Sequence, residues 1–487
     1  MKFLSLSEFR RYTFLIGPLI FFALLIFNPL QLEPKACKVL AVAALMIFWW
    51  ISESLPMPAV ALVPLVLFPL MNISTISETA APYANEVIFL FMGGFFIGLA
   101  IEKCHLHKRI ALTIVKWTGT SGDRIILGFI LSTGFISMWL SNTATTMMMF
   151  PIAGSVITVV RNTKIDPVKA ANFSLAIMLS IAYASNFGGM ATIIGTPPNA
   201  VYASFISKTY NYEISFAGWM MICLPIVILL LLALYVVLVK WMHPNDIRSS
   251  NEMKEIIHHE LKDLGPMTTA EKRVMVIFFT TAFLWITRGL INSFAALNID
   301  DNMIAIFGGL LMFIVPSGAK DAPEERLLDW KDTKNMAWGI LLLFGGGITL
   351  ANAMQEAGLI EMIGKAIAGI SGTNVLLIVV MVTVVSIFLS EVMSNIAQVI
   401  VIAPVVTGMA EALHINPFLL GVPMTLAASA AAMMPMGTPP NAIVFSSGHI
   451  RLKDMMRVGL VMNVVSILLI VIFCYLVLPY FLTMPTR

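Results

Sequence analysis

Charge is what this sequence has least of. Charged residues make up 12% of its 487 positions, about half the share of a water-soluble domain. So little polar side-chain surface cannot coat a globule in water. A mean hydropathy of +0.89 agrees, and together they imply a chain that lives in a bilayer. Excess positive charge is missing too. The net charge is +3 and the basic residues are scattered, which excludes nucleic acid as a partner. The four cysteines (Cys37, Cys104, Cys223 and Cys474) are isolated, with no CxxC pair, so neither a disulfide framework nor a zinc site is expected. No paired aspartates and no His-rich motif fall at membrane depth, so an intramembrane enzyme lacks its catalytic set. What the chain has in plenty is long apolar runs.

About twenty apolar residues cross a bilayer as a helix. The hydropathy pattern predicts spans at 12–30, 36–52, 57–72, 86–102, 172–190, 213–241, 273–291, 302–316, 336–355, 417–435 and 455–482. Arg10 and Arg11 precede the first run as in a signal peptide, but the run ends at Asn28-Pro29 without a cleavage pattern and reads as a transmembrane helix. Two more apolar stretches, 124–160 and 374–410, are interrupted by polar residues. The polar segment 243–272 reads as a cytoplasmic linker between halves at 36–242 and 273–487, with residues 1–35 as an N-terminal helix. Basic residues concentrate on cytoplasmic loops. With the N-terminus inside, Lys103/Lys108/Arg109, Arg161/Lys164/Lys169, Lys320/Arg326/Lys331/Lys334 and Arg451/Lys453/Arg457 all face the cytoplasm, and the C-terminus lies outside. His105, His107, His258 and His259 fall in these loops and are expected to be solvated. Glu53, in a short cytoplasmic turn, is expected at the interface.

The chain repeats itself. Gly93-Gly94 and Gly346-Gly347 stand at one constant offset, as do Ser141-Asn142 and Ser394-Asn395, and Pro151 and Pro404. Gly-Thr-Pro-Pro-Asn-Ala at 195–200 recurs at 437–442. An odd number of predicted spans separates the copies, so they enter the membrane from opposite sides. Inverted repeats with a binding site at their midplane interface are typical of secondary transporters, although some channels carry them too.

Each half contains the same two interruptions. In 124–160 the arms flanking Ser141-Asn142-Thr143 are about fifteen residues, too short for a ~30 Å hydrocarbon core, so a re-entrant hairpin is predicted. In 374–410 the tip is Ser394-Asn395-Ile396, and its longer first arm also permits two spans. Irregular backbone at membrane depth survives where it lines a cavity or is buried in protein. A hairpin tip sets helix C-terminal carbonyls, suited to a cation, beside helix N-terminal amides, suited to an anion. Pro197-Pro198 and Pro439-Pro440 remove amide donors and force helix breaks that free further carbonyls. The pattern predicts two matching ion sites flanking one substrate site. The tips carry no cationic side chain. A dianion there needs countercharge, and bound Na⁺ provides it, which is a physical reason for coupling. Glu391, beside the second tip, is either a coupling group or a structurally paired one.

These residues resemble the divalent anion/sodium symporter family. Ser141-Asn142-Thr143 matches its first Ser-Asn-Thr signature, Ser394-Asn395 the second, and both Thr-Pro-Pro-Asn runs and the stretch Trp49-Trp50-Ile51-Ser52-Glu53-Ser54-Leu55-Pro56 are similar to it. The resemblance implies an all-α polytopic membrane fold of about eleven transmembrane helices and two re-entrant hairpins. It also implies a homodimer whose transport domain moves like an elevator, in a bacterial inner membrane. By motif, a first sodium site involves Ser137, Ser141, Asn142 and Gly195, and a second Ser390, Met393 through its carbonyl, Asn395 and Gly437. Substrate contacts are Asn142, Thr143, Asn395, Ile396, Thr438 and Pro439. The expected activity is Na⁺-coupled symport, with two or more Na⁺, of succinate, fumarate or malate. The alternatives within the family are a sodium-independent dicarboxylate exchanger and a citrate or sulfate carrier. One departure stands out: Ile396 occupies the place of the second signature threonine, so one hydroxyl is missing there.

Overall fold

The computed structural model describes residues 6–162, 165–245, 247, 251–295, 298–319, 324–362 and 374–481. Lys164 and Lys320, assigned above to the cytoplasmic loops, lie outside the described residues. Those residues form a helical bundle, whose one strand-like feature is an isolated bridge between Pro316 and Arg326. Nine of the described helices are long and apolar enough to cross a membrane.

The helices begin and end where local chemistry dictates. Pro34 starts the helix Pro34–Ser52, where a missing amide costs nothing, and Glu53 stops it in a left-handed conformation at φ 48°. The predicted span 57–72 is in fact two short helices, Met57–Val60 and Val63–Leu70, with Pro64 in the first turn of the second. Asn85 caps Glu86–Lys103 by accepting from the Val87 amide at 3.1 Å. The first interrupted stretch is a pair of helices, Gly122–Ser137 and Asn142–Asn162. The second is Val375–Leu389 and Asn395–Ala412. The shorter arm of the first pair has 16 residues, or about 24 Å of helix.

Two polar segments fold where loops were expected. Leu106–Thr118 is a helix, and within it His107 is buried rather than solvated, its Nδ1 2.9 Å from the Ile101 carbonyl oxygen. Asn251–Asp263, inside the expected linker, is also helical, with His259 exposed and paired to Asp263. Both helices are too polar to register in a search for apolar spans.

Small residues let the helices approach closely, which is the main route to packing in lipid. Gly93 lies against the Ala305 backbone of helix Asp301–Ile314, with no room for a β-carbon. Its repeat counterpart Gly346, in helix Trp338–Glu356, lies equally close to the Ala61 backbone. The two halves thus use the same device at equivalent positions.

At one end of the bundle, basic residues from the predicted cytoplasmic loops meet acidic ones from other loops on that side. Lys103 pairs with Glu325 at 3.4 Å and Asp332 at 3.0 Å, and Lys108 with Glu260 at 2.9 Å. Arg109 grips Glu271 through two nitrogens, at 2.7 and 3.2 Å, and also donates to the carbonyls of Leu264 and Gly265. Glu271 is buried, so this forked pair weighs more than the exposed ones. The loops around 103–109, 260–271 and 325–332 therefore share one end of the bundle.

Candidate functional site

Both polar tips and both broken helices converge on one cavity of about 570 Å³, a typical volume for a small-molecule site. Ser141, Asn142 and Thr143 line it from the first tip, and Met393, Asn395 and Ile396 from the second. Gly437, Thr438 and Pro439 add the second helix break. Ser137, Gly195 and Ser390 stand just behind this wall. All twelve candidate ion and substrate residues are therefore drawn together, although they run from Ser137 to Pro439 in the chain.

The first cluster forms where helix Gly122–Ser137 ends and Asn142–Asn162 begins. Ser137 Oγ donates to Asn142 Oδ1 at 2.8 Å, and the Ser141 hydroxyl caps the second arm by accepting from the Ala144 amide at 3.2 Å. The first broken helix presses against this tip. Gly188 meets Gly134, a β-carbon on Gly189 would strike Asn142 Oδ1, and one on Gly195 would sit 3.0 Å from the Ser137 carbonyl oxygen. Gly189 and Gly195 are thus glycine because oxygen atoms crowd there. The second cluster repeats the plan. Ser390 Oγ contacts Asn395 Oδ1 at 2.6 Å and the Ala428 carbonyl oxygen at 2.5 Å. A β-carbon on Gly437 would lie 3.4 Å from the Ser390 carbonyl oxygen. Among the described residues no hydrogen bond draws the Met393 carbonyl into this cluster. The serine, asparagine and backbone oxygens of the two clusters, with Glu391 Oε2 as the nearest atom to a β-carbon built on Gly437, at 3.1 Å, suit a hard monovalent cation.

The helix breaks hold a feature the sequence reading missed. The chain leaves the helix at Gly189 and re-enters at Pro197, then leaves at Ser429 and re-enters at Pro439. The proline pairs occupy the first turn of each new helix, where the absent amides are harmless. The asparagine after each pair reaches back across the break. Asn199 Nδ2 donates to the carbonyls of Gly189, Met190 and Thr192, at 3.2, 3.2 and 2.8 Å. Asn441 Nδ2 donates to Ala431 at 3.4 Å and Met434 at 3.1 Å. Several carbonyls expected to be free for ions are therefore stapled by these amides. The recurrence of Asn at the fifth place of the repeated hexapeptide was the available signal.

The second break carries one more support. Glu391 is buried and accepts from the amides of Ala432 and Met433, both at 2.9 Å, and of Met434 at 2.8 Å. It also accepts from Asn463 Nδ2 at 2.7 Å. Four donors satisfy the carboxylate and pin the unwound segment to the second tip. In the first half the equivalent position is Met138, whose carbonyl takes the Thr192 hydroxyl at 2.5 Å.

Glu53 is the charged side chain among the lining residues, and no Lys, Arg or His is among them. The interfacial position expected for Glu53 thus becomes a place on the cavity wall, contributed by the end of helix Pro34–Ser52. Asn186, which is not among the residues singled out in the sequence, lines the cavity too.

Comparison with known proteins follows the same lines. A family described as "Sodium:sulfate symporter transmembrane region" matches residues 9–482. A protein named sodium-dependent dicarboxylate transporter SdcS, from Staphylococcus saprophyticus, is 39% identical over 471 residues, covering 96% of this chain and 91% of its own. Its namesake from Staphylococcus aureus is 39% identical over 474 residues, covering 96% and 90%. A crystal structure of the Alcanivorax borkumensis YdaH transporter superposes with a TM-score of 0.55 at 12% identity, over 90% of this chain and 98% of that one, a likeness of fold alone.

Proposed function

Because the chain belongs to the sodium:sulfate symporter family, by a match over nearly its whole length, we propose that it is a secondary transporter that carries C4-dicarboxylates together with Na⁺. Relatives at 39% identity bear the name of sodium-dependent dicarboxylate transporters, which favours succinate, fumarate or malate over sulfate or citrate. The observation that carries the reading is the pairing of two like oxygen clusters on either side of one cavity that has no cationic side chain.

The chemistry follows from that arrangement. Ser137, Asn142 and Gly195 hold one Na⁺; Ser390, Asn395 and Gly437 hold the second. Ser141 and the Met393 carbonyl complete the two shells. Each ion places positive charge beside an asparagine, Asn142 or Asn395, whose amide nitrogen is then the donor to the substrate. The dianion enters between the tips, one carboxylate toward each, with Thr143 and Thr438 as hydroxyl donors and Ile396 and Pro439 as apolar walls. Without Na⁺ the carboxylates face only neutral dipoles and the Glu53 carboxylate. Binding is then weak, and transport is coupled to the ions.

The cavity is bordered by Ile51, Glu53, Met57 and Ile340, at the ends of segments assigned to the cytoplasmic side. We read this as the state open to the cytoplasm. Alternating access then moves the tips and broken helices past the first helices of each half, as an elevator, in a homodimer embedded in a bacterial plasma membrane. Uptake of radiolabelled succinate into proteoliposomes, with Na⁺ or choline outside, tests this function. Uptake that requires Na⁺ supports symport. Uptake that ignores Na⁺ but needs internal dicarboxylate makes the protein an exchanger, and competition by sulfate or citrate would shift the substrate class.

A further inference from the structure

The missing threonine at position 396 leaves the second tip short of a hydroxyl, and the structure shows where another is made ready. Thr438 caps the helix Pro439–Phe445, its Oγ1 accepting from the Asn441 amide at 3.3 Å. Asn186, on helix Pro167–Gly189 of the other half, donates its Nδ2 to the same oxygen at 3.1 Å. A hydroxyl has two lone pairs and one proton. Both lone pairs of Thr438 are thus engaged, and its proton is what remains. Among the described residues no acceptor takes that proton, and Thr438 lines the cavity.

The orientation of Asn186 is set by a chain of contacts. Asn441 turns its Nδ2 to two backbone carbonyls, which can only accept. Its Oδ1 therefore faces Asn186, and Asn186 must present Nδ2, 3.4 Å away. Asn186 is buried, and its own Oδ1 has no hydrogen-bond partner among the described residues. Burying an idle acceptor is unfavourable, so the contribution of this side chain lies in its donor half.

The first half lacks this device. At the repeat offset of the hexapeptides, the counterpart of Asn186 is Ala428. Thr196, the counterpart of Thr438, makes no side-chain cap, and Asn199 Oδ1 goes without a partner. That half has Thr143 at its tip. The half that has Ile396 at its tip is the half in which a threonine is pinned from both sides.

We propose that Asn186 is a positioning residue for substrate selection: it fixes Thr438 as a one-way donor to the dicarboxylate and replaces the hydroxyl lost at Ile396. This rests on the substrate-site reading above.

The test is succinate uptake in proteoliposomes at saturating Na⁺, with KM read for single and double variants. Asn186→Ala is expected to raise KM about tenfold, the scale of a hydrogen bond to a charged group. The half-saturating Na⁺ concentration should be little changed. Thr438→Val should raise KM similarly, and the double variant should be no worse than Thr438→Val alone, because Asn186 acts through Thr438. Ile396→Thr should recover most of the affinity in the Asn186→Ala background. A purely structural role for Asn186 would give effects that multiply and no rescue, and either result overturns the proposal. If Asn186→Ala does not reach the membrane, Asn186→Ser, whose hydroxyl stops short of Thr438, takes its place with the same expectations. If Thr438→Val raises KM while the Asn186 variants do not, the positioning role alone fails. If Thr438→Val leaves KM intact, the substrate-site assignment falls with it.

Discussion

Replacing Asn142 by alanine removes one side chain proposed to serve both cargoes. Its Oδ1 takes the Ser137 hydroxyl and faces the crowded pocket of Gly189 and Gly195, the proposed first Na⁺ position. Its Nδ2 is the proposed donor to one carboxylate. The variant loses one oxygen ligand to a cation and one hydrogen bond to an anion. Each interaction with a charged group is worth about 1.5–3 kcal/mol, so their sum is about 3–6 kcal/mol. At about 1.4 kcal/mol per tenfold, kcat/KM for succinate should fall about 10²- to 10⁴-fold. The tip itself should survive, because Ser141 still caps helix Asn142–Asn162 through the Ala144 amide. The assay is initial succinate uptake in proteoliposomes matched for reconstituted protein, with monodispersity in detergent as the folding control. A well-folded Asn142→Ala protein with kcat/KM within about threefold of the parent would refute the assignment. A deficit confined to Na⁺ titration, with succinate KM unchanged at saturating Na⁺, would refute its double role.

Other perturbations probe separate parts of the account. Ile396→Thr should reorder the preference among succinate, malate and fumarate while leaving half-saturating Na⁺ nearly unchanged; competition assays that show no reordering would remove Ile396 from the substrate wall. Glu391→Gln turns an acceptor-only carboxylate into an amide whose nitrogen faces the donors at 432–434. Thermal unfolding in detergent should show a loss of at least about 2 kcal/mol, and Na⁺ affinity should drop with it. His107 gives a pH test. Burial pushes its imidazole below the ordinary histidine value, partly offset by the Ile101 carbonyl. The unfolded chain therefore takes up this proton first, and stability should decline as pH falls through about 6.5. His107→Gln should flatten that decline, read from melting temperatures between pH 7.5 and 5.5.

Much of this site was legible in the sequence because the repeat wrote it twice. Ser-Asn and Thr-Pro-Pro-Asn recur at matching places, and the structure brings both copies to one cavity. The apolar runs also located the bundle, though span 417–435 overran the break after Ser429 because Ala430, Ala431 and Ala432 are as apolar as the helix they leave. What stayed hidden depends on partners distant in sequence. Glu391 could not be assigned until the amides at 432–434 were seen to converge on it. Asn186 gives no periodic or motif signal, and its meaning comes from Thr438, 252 positions away. Glu53 reads as interfacial from its turn, and only the placement of helix Pro34–Ser52 beside the tips brings it to the cavity. Helix Leu106–Thr118 was missed because Lys108, Arg109, Lys116 and His107 dilute its apolar signal, even as His107 turns inward.

The central claim is that bound Na⁺ supplies the countercharge that a cavity without cationic side chains lacks. Calorimetric titration of succinate into the purified, solubilised protein, in Na⁺ and in choline at equal ionic strength, tests it most directly. The account predicts saturable binding in Na⁺, and affinity that rises steeply with Na⁺ concentration and is lost in choline. Binding of equal affinity in choline would contradict it.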